Sequence, residues 1–286
     1  MQKGWRRLSS FGNRLTTSFA AQGRLCVGID PHSWLLSEWN LADSAVGARE
    51  FGLRVVEAAA GRVSLVKPQV AFFERFGSAG YRALEDVLAA ARAVGLVVIA
   101  DVKRGDVGSS VEAYAEAWLT PGSPLEVDAM TVSAFQGVGS LKAPFELAEK
   151  HGKGVFVLAV TSNPEAAALQ QATTSAGSTV AATISADVVA WNTANAANNL
   201  GSVGLVIGAT IATDDYHIDM SELRNTPILA PGFGYQGARF DQLGERYGVA
   251  AGSVIVSVSR SILSAGPAGI AAAISSQVAE VAGCHA

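Results

Sequence analysis

Cysteine is scarce in this chain. Its 286 residues include only Cys26 and Cys284, far apart and without metal-ligand spacing. Cys26 sits in an apolar run and reads as core rather than as a reactive thiol. The four histidines (His32, His151, His217 and His285) form no H-x-x-x-H pair and no Cys/His cluster, so a structural zinc site is not expected. No uninterrupted apolar run reaches the ~18 residues of a membrane span, and no membrane partner is expected. An excess of positive charge is also missing. The net charge is −4, which argues against a nucleic-acid protein but leaves room for one small phosphorylated ligand.

Acid is absent from the first 29 residues, where Lys3, Arg6, Arg7, Arg14 and Arg24 occur. That composition is like a transit peptide, but a signal-type apolar core is lacking. Phe11, Leu15 and Phe19 fall at i, i+4 and i+8 behind a possible Ser10 cap. This spacing predicts an amphipathic helix packed on the domain, and the expected location is the cytoplasm.

What the chain has is apolar bulk: 49% hydrophobic against 16% charged residues. Eight strand-like runs begin near Arg24, Val63, Leu96, Val127, Val155, Val203, Pro227 and Ser253. Most are separated by roughly 25–40 residues, the length of a strand, a helix and two turns. Ala- and Leu-rich helical patterns fill the gaps, as at 80–94 and 181–200. Eight alternating units without a linker predict one (β/α)8 barrel spanning residues 1–286, with an N-terminal helical extension. A doubly wound open sheet is the alternative. The longest interval, between the fifth and sixth strands, holds a polar stretch at 170–179 that reads as an enlarged loop plus a helix.

Residues 95–110, GLVVIADVKRGDVGSS, are the centre of the pattern. A β-branched run typical of a strand buried on both faces ends in Asp101, Lys103, Arg104 and Asp106. Strand alternation places Asp101 and Lys103 on one side. Gly105 and Gly108 free the chain to turn, and Ser109 and Ser110 offer caps for a helix starting near Val111. A surface salt-bridge cluster is the plain alternative. Other polar residues also close strands: Asp30 the first and Lys67 the second. Thr161, Ser162 and Asn163 follow the fifth, Gly232–Gly237 (GFGYQG) the seventh and Arg260 the eighth. In a barrel these ends share one rim around one pocket. The glycine loop, Gln236 and Arg260 suit a phosphate, by close backbone approach, amide donation and bidentate contact. No acid follows ~20 residues on, as a dinucleotide site would need.

These residues resemble the orotidine 5'-phosphate decarboxylases, in particular the bacterial type 2 subgroup, from about Phe11 to Gly266. The carriers are FGNRLTTSFAAQGRLCVGIDPH, LVKPQVAFFERFG, IADVKRGDVGSS, TVSAFQG, VTSNP, PGFGYQGA and VSRSIL. The resemblance implies cofactor-free and metal-free decarboxylation of orotidine 5'-phosphate to uridine 5'-phosphate, in pyrimidine biosynthesis. It implies a catalytic array of Lys67, Asp101, Lys103 and Asp106, with Lys103 as proton donor. It also implies a homodimer in which Asp106 reaches the neighbour's site. By motif, Asp30 matches a ribose ligand, Ser110 a ribose contact across the dimer and Ser162 the reader of the pyrimidine edge. Gln236 and Arg260 match phosphate ligands, joined by the glycine loop at Gly234, which would be a mobile lid. Two other functions fit less well. A magnesium-dependent sugar-phosphate decarboxylase would carry an acid where Lys67 stands, and a non-catalytic phosphoribosyl-binding barrel would bind without turnover.

Overall fold

The computed structural model describes residues 9–284 and contains a closed barrel of eight parallel strands in sequential order. The strands are β1 (Leu25–Ile29), β2 (Leu65–Pro68), β3 (Val97–Arg104), β4 (Ala129–Val132), β5 (Gly154–Val160), β6 (Val203–Ile207), β7 (Ile228–Pro231) and β8 (Val254–Val258). β8 pairs with β1, which closes the sheet and leaves no free edge. Each expected strand run forms one of these, and the open-sheet alternative falls away.

The helix ahead of the barrel and the main helices that follow its strands are α1 (Phe11–Gln22), α2 (Ala45–Ala59), α3 (Gly77–Ala93), α4 (Gly108–Leu119), α5 (Lys142–His151), α6 (Val180–Asn195), α7 (Leu243–Tyr247) and α8 (Gly266–Gly283), with short helical turns such as Ser33–Glu38 besides. α2 to α8 alternate with the strands, except between β6 and β7, where two 3-10 turns make the connection. Three helix boundaries differ clearly from expectation, the first being α3, which begins at Gly77 rather than at residue 80. α4 begins at Gly108, not near Val111, and neither Ser109 nor Ser110 caps it; its N-cap is Val107, without a side-chain bond. Gly108 itself has φ +56°, so the turn and the helix start coincide. The helix expected over 181–200 stops at Asn195, because Ala197 and Asn198 take left-handed φ values of 45° and 67°.

Strand alternation explains how the core divides. Val27, Val66, Val98 and Met130 face outward into the layer under the helices. Cys26, Leu65, Ile99, Ala129, Phe156, Leu229 and Ile255 face inward and fill the barrel floor. Burial pushes the Cys26 thiol up to about 12, in keeping with a core residue. One inward-facing step further along the same strands come Lys67, Asp101 and Thr131. The apolar floor therefore fixes the height at which the polar layer begins.

α1 closes the opposite end of the barrel. Ser10 caps it by accepting from the Asn13 amide, as the sequence spacing predicts. Phe11 and Leu15 are fully buried, while Phe19 is half-buried. The Phe11 ring meets Phe156 edge-on with centroids 6.0 Å apart. Arg14 donates to the buried Asp128 carboxylate and to the Gly152 carbonyl, tying the helix to β4 and β5. Of the basic N-terminal residues, Lys3, Arg6 and Arg7 lie outside the described residues.

Phe11→Ala should remove this plug and leave a cavity. The expected loss is about 3–5 kcal/mol of unfolding free energy, read from urea denaturation followed by tryptophan fluorescence.

Candidate active site

Asp101 is the hub of the carboxyl-terminal rim. Its Oδ2 accepts from Lys67 Nζ at 3.1 Å and from Gln69 Nε2 at 2.9 Å. Its Oδ1 accepts from Lys103 Nζ at 2.6 Å and from Thr131 Oγ1 at 2.9 Å. With side-chain exposures of 12% for Asp101 and 8% for Lys67, this is not a surface cluster; Lys103, at 46%, is the open face of the group.

The electrostatics follow from that burial. Desolvation works against both charges of the inner pair. At Asp101 the two ammonium groups outweigh it and hold the carboxyl well below its usual range. At Lys67 the carboxylates of Asp101 and Asp30 outweigh it and raise the ammonium above its usual value. Both groups therefore stay charged through neutral pH.

The geometry of β3 departs from simple alternation. The β3–β4 register shifts between Ala100 and Arg104, and Lys103 has φ +49°. Lys103 still meets Asp101, but from an irregular backbone rather than from a regular strand. Beyond it, Arg104 is pinned by Glu74, and Tyr81 donates to the same Glu74 carboxylate at 2.5 Å.

A cavity of about 410 Å³ opens above this cluster. Asp30, Lys67, Asp101 and Lys103 line it on one side; Ser162, Gln236 and Arg260 line it elsewhere. Asp30 Oδ2 accepts from Ser259 Oγ at 2.5 Å, whereas its Oδ1 is buried and has no partner. Gly28 makes that approach possible, because a Cβ there would lie 2.7 Å from the Ser259 Cβ. The Arg260 guanidinium lies over the Tyr235 ring, 3.9 Å from its centroid, with no acidic partner among the described residues. Gly232, Gly234 and Gly237 have φ values of 118°, 71° and 99°, which shape the loop that presents Gln236.

Asp106, Ser110 and Gly234 do not line the cavity of their own chain. Asp106 is half-exposed, with Oδ1 accepting from the Val107 amide at 2.8 Å. Gly234 is an exposed member of the loop and turns toward Ser261, where an added Cβ would stand 2.8 Å from Ser261 Oγ. Of the four residues of the expected array, one chain brings together three.

Sequence reasoning missed Gln69, Thr131, Gln170, His32 and Ser259. Gln69 had a legible signal, since it lies two residues beyond Lys67. Gln170 bonds the Thr161 amide at 3.1 Å and the Thr161 hydroxyl at 3.0 Å, so the polar stretch at 170–179 begins by bracing the cavity wall. His32 lines the cavity and packs on Phe72 at 4.2 Å. Among the described residues no three His, Cys, Asp or Glu side chains gather as a metal site.

The sequence profile of the orotidine 5'-phosphate decarboxylase / HUMPS family matches residues 23–274. The chain belongs to this family. An orotidine 5'-phosphate decarboxylase of Salinispora arenicola is 50% identical over 260 residues, 91% of this chain and 92% of that one. The protein of that name from Corynebacterium efficiens is 46% identical over 277 residues, covering 96% and 98%. Among solved structures, a candidate orotidine 5'-phosphate decarboxylase from Streptomyces avermitilis superposes with a TM-score of 0.92 at 44% identity, covering 99% of this chain and 98% of its own. The Leishmania donovani OMP decarboxylase gives 0.77 at 29% identity, covering 96% and 98%. Family membership and the barrel thus agree with the expectation from sequence.

The buried carboxylate supplies a test of the site's electrostatics. Asp101→Asn leaves the buried Lys67 ammonium without its main counter-charge and should cost about 3 kcal/mol at pH 7. The folded carboxyl titrates below the unfolded value near 3.9, so wild type has this advantage above that value. It should lose it as the pH falls through the folded value. Urea midpoints of both proteins between pH 3 and pH 8 should stay a constant distance apart above about pH 5 and begin to draw together only at the acid end.

Proposed function

We propose that this chain removes CO2 from C6 of orotidine 5'-phosphate to give uridine 5'-phosphate, in pyrimidine biosynthesis. The observation that carries this reading is the alternation of charge at the cavity floor, Lys67–Asp101–Lys103, inside a pocket that also contains Arg260. The names of the relatives point the same way. The cavity volume falls in the range usual for small-molecule ligands, about 300–1,000 Å³.

The substrate fits with its ring above Lys103 and Asp101 and its phosphate at Gln236 and Arg260. Stacking on Tyr235 covers one face of the Arg260 guanidinium and leaves its N–H edge for phosphate oxygens. The unpartnered Asp30 Oδ1 is an acceptor for a ribose hydroxyl, with Lys67 beside it. Ser162 faces the pyrimidine edge.

The chemistry has one difficulty: an electron pair left on C6. The C6–carboxyl bond breaks, the pair stays on carbon and CO2 departs. The Lys103 ammonium stabilises that pair and gives C6 a proton, then regains one from water. Asp101 stands close to the departing carboxylate. Two like charges at 4 Å repel by about 4 kcal/mol at an effective dielectric of 20, and this repulsion ends as CO2 leaves. The larger contribution is the cation already fixed where negative charge develops, which needs no reorganisation during reaction. No step needs a cofactor or a metal. Binding at the distant phosphate stabilises a closed, dry site with the glycine loop as its lid, so part of that energy acts on the transition state.

The array is completed by a second copy of the chain. Asp106 lies outside its own cavity, and Ser110 is exposed nearby on α4. Val107 beside it is 55% exposed and Phe135, after β4, is 78% exposed. Exposed apolar side chains after β3 and β4, together with an acid that does not line its own cavity, suit a homodimer in which Asp106 and Ser110 serve the partner. The expected place of action is the cytoplasm; among the described residues no helix is long and apolar enough to cross a membrane.

Lys103→Ala should lower turnover of orotidine 5'-phosphate at least roughly a thousandfold while uridine 5'-phosphate still binds. The ultraviolet absorbance change on decarboxylation reads the first and calorimetry the second. Wild-type turnover should persist in excess chelator. Near-wild-type turnover in the variant would remove Lys103 from its role, and activity lost to chelator and restored by Mg2+ would favour metal-dependent chemistry.

A further inference from the structure

Thr131 occupies an inward-facing place on β4, one step above the apolar floor at Ala129, and is only 1% exposed. Its hydroxyl makes two bonds of different sense. It donates to Asp101 Oδ1 at 2.9 Å and accepts from the Lys103 main-chain amide at 2.9 Å. The two bonds fix each other: with a lone pair taken by the amide, the hydroxyl proton is directed at the carboxylate.

Within this group Lys103 is the residue with an unusual backbone. Its φ of +49° is left-handed, a conformation that a residue with a side chain seldom adopts, and it lies where the β3–β4 register slips. Its amide finds its acceptor in Thr131 Oγ1. At the other end of the same residue, Nζ reaches Asp101 Oδ1 at 2.6 Å. A closed ring results: from the Thr131 hydroxyl to the Asp101 carboxylate, to the Lys103 ammonium, along the lysine chain to its own amide, and back to the hydroxyl. Val would fill this β-strand position equally well by shape, so the hydroxyl itself is what the ring requires.

We propose that Thr131 is a positioning residue for the decarboxylation, holding Lys103 in its left-handed conformation and Asp101 in register so that the ammonium is aimed into the cavity. This rests on the decarboxylase reading. Thr131 does not touch the substrate. It acts through Lys103, whose proton must arrive at C6 on the correct line, and reacting groups displaced by about 1 Å can lose about a hundredfold in rate. Substrate affinity comes chiefly from the phosphate and ribose ends, which Thr131 does not contact, so its removal should act on kcat and spare KM.

The test compares Thr131→Val with Thr131→Ser in the intact enzyme. Thr131→Val should lower kcat by roughly 10–100-fold, with KM and the Kd for uridine 5'-phosphate changed less than about threefold. Thr131→Ser, which keeps the hydroxyl, should recover kcat to within about threefold of wild type. Independently of turnover, a crystal structure of Thr131→Val should show Lys103 out of the left-handed region or its ammonium no longer bonded to Asp101. The proposal is overturned if Thr131→Val turns over like wild type, if Ser is as impaired as Val, or if binding of uridine 5'-phosphate falls in step with kcat. It is likewise overturned if Lys103 keeps its place in the variant. A wild-type enzyme that leaves orotidine 5'-phosphate unchanged would instead refute the decarboxylase reading, and the crystal structure would still decide whether Thr131 holds Lys103.

Discussion

One carboxylate organises the functional end of this barrel. Asp101 accepts from two ammonium groups, an amide and a hydroxyl, contributed by β2, the turn just after it, β3 and β4. A buried carboxylate in any weaker setting would take up a proton or leave its charge uncompensated. Here desolvation of each ion is outweighed by its neighbours, so the group remains ionised and its cations remain protonated. Much of the local architecture serves that end. The strand order places β2, β3 and β4 side by side, and Lys103 reaches Asp101 from the irregular end of β3.

The same carboxylate sets a condition on the rest of the cavity. A cluster with fixed charge can hold a charged ligand group close to a like charge only if that ligand is gripped somewhere else. Arg260, just after β8, and Gln236, on the glycine loop after β7, stand on another part of the cavity wall and would supply such a grip. The barrel links these parts rigidly, because its interior is packed from Phe11 of α1 up to Leu65, Ile99 and Ala129. A dry floor also keeps the effective dielectric low beneath the charges, which strengthens each interaction above it.

Much of the fold could be read from the chain because a parallel barrel writes itself as repeated local patterns. A strand buried on both faces, such as Val97–Ala100, is recognisable by apolar β-branched residues alone. α1 was legible through Ser10 and the spacing of Phe11 and Leu15. The helix boundaries at Gly108 and Asn195 were not, since they depend on single left-handed residues that composition does not announce. In the site, Lys67, Asp101, Lys103 and Arg260 stood out as charges at the ends of apolar runs. Thr131 did not: a threonine inside AMTV looks like any β-branched strand residue. Gln170 was hidden differently, inside a polar loop where a bracing amide and a solvated one look alike.

The amino-acid sequence by itself determined the number and order of the strands and the set of charged side chains on their common rim. Local physics suffices there, because hydrophobic periodicity selects a strand and its end exposes whatever follows. Only the tertiary structure decided which donors share the Asp101 carboxylate and that Lys103 approaches it from a left-handed backbone. It also decided that Asp106 stands apart from the other three. Those outcomes depend on the register between neighbouring strands, where one shifted residue changes which side chains meet, and register is set by the closure of the whole barrel.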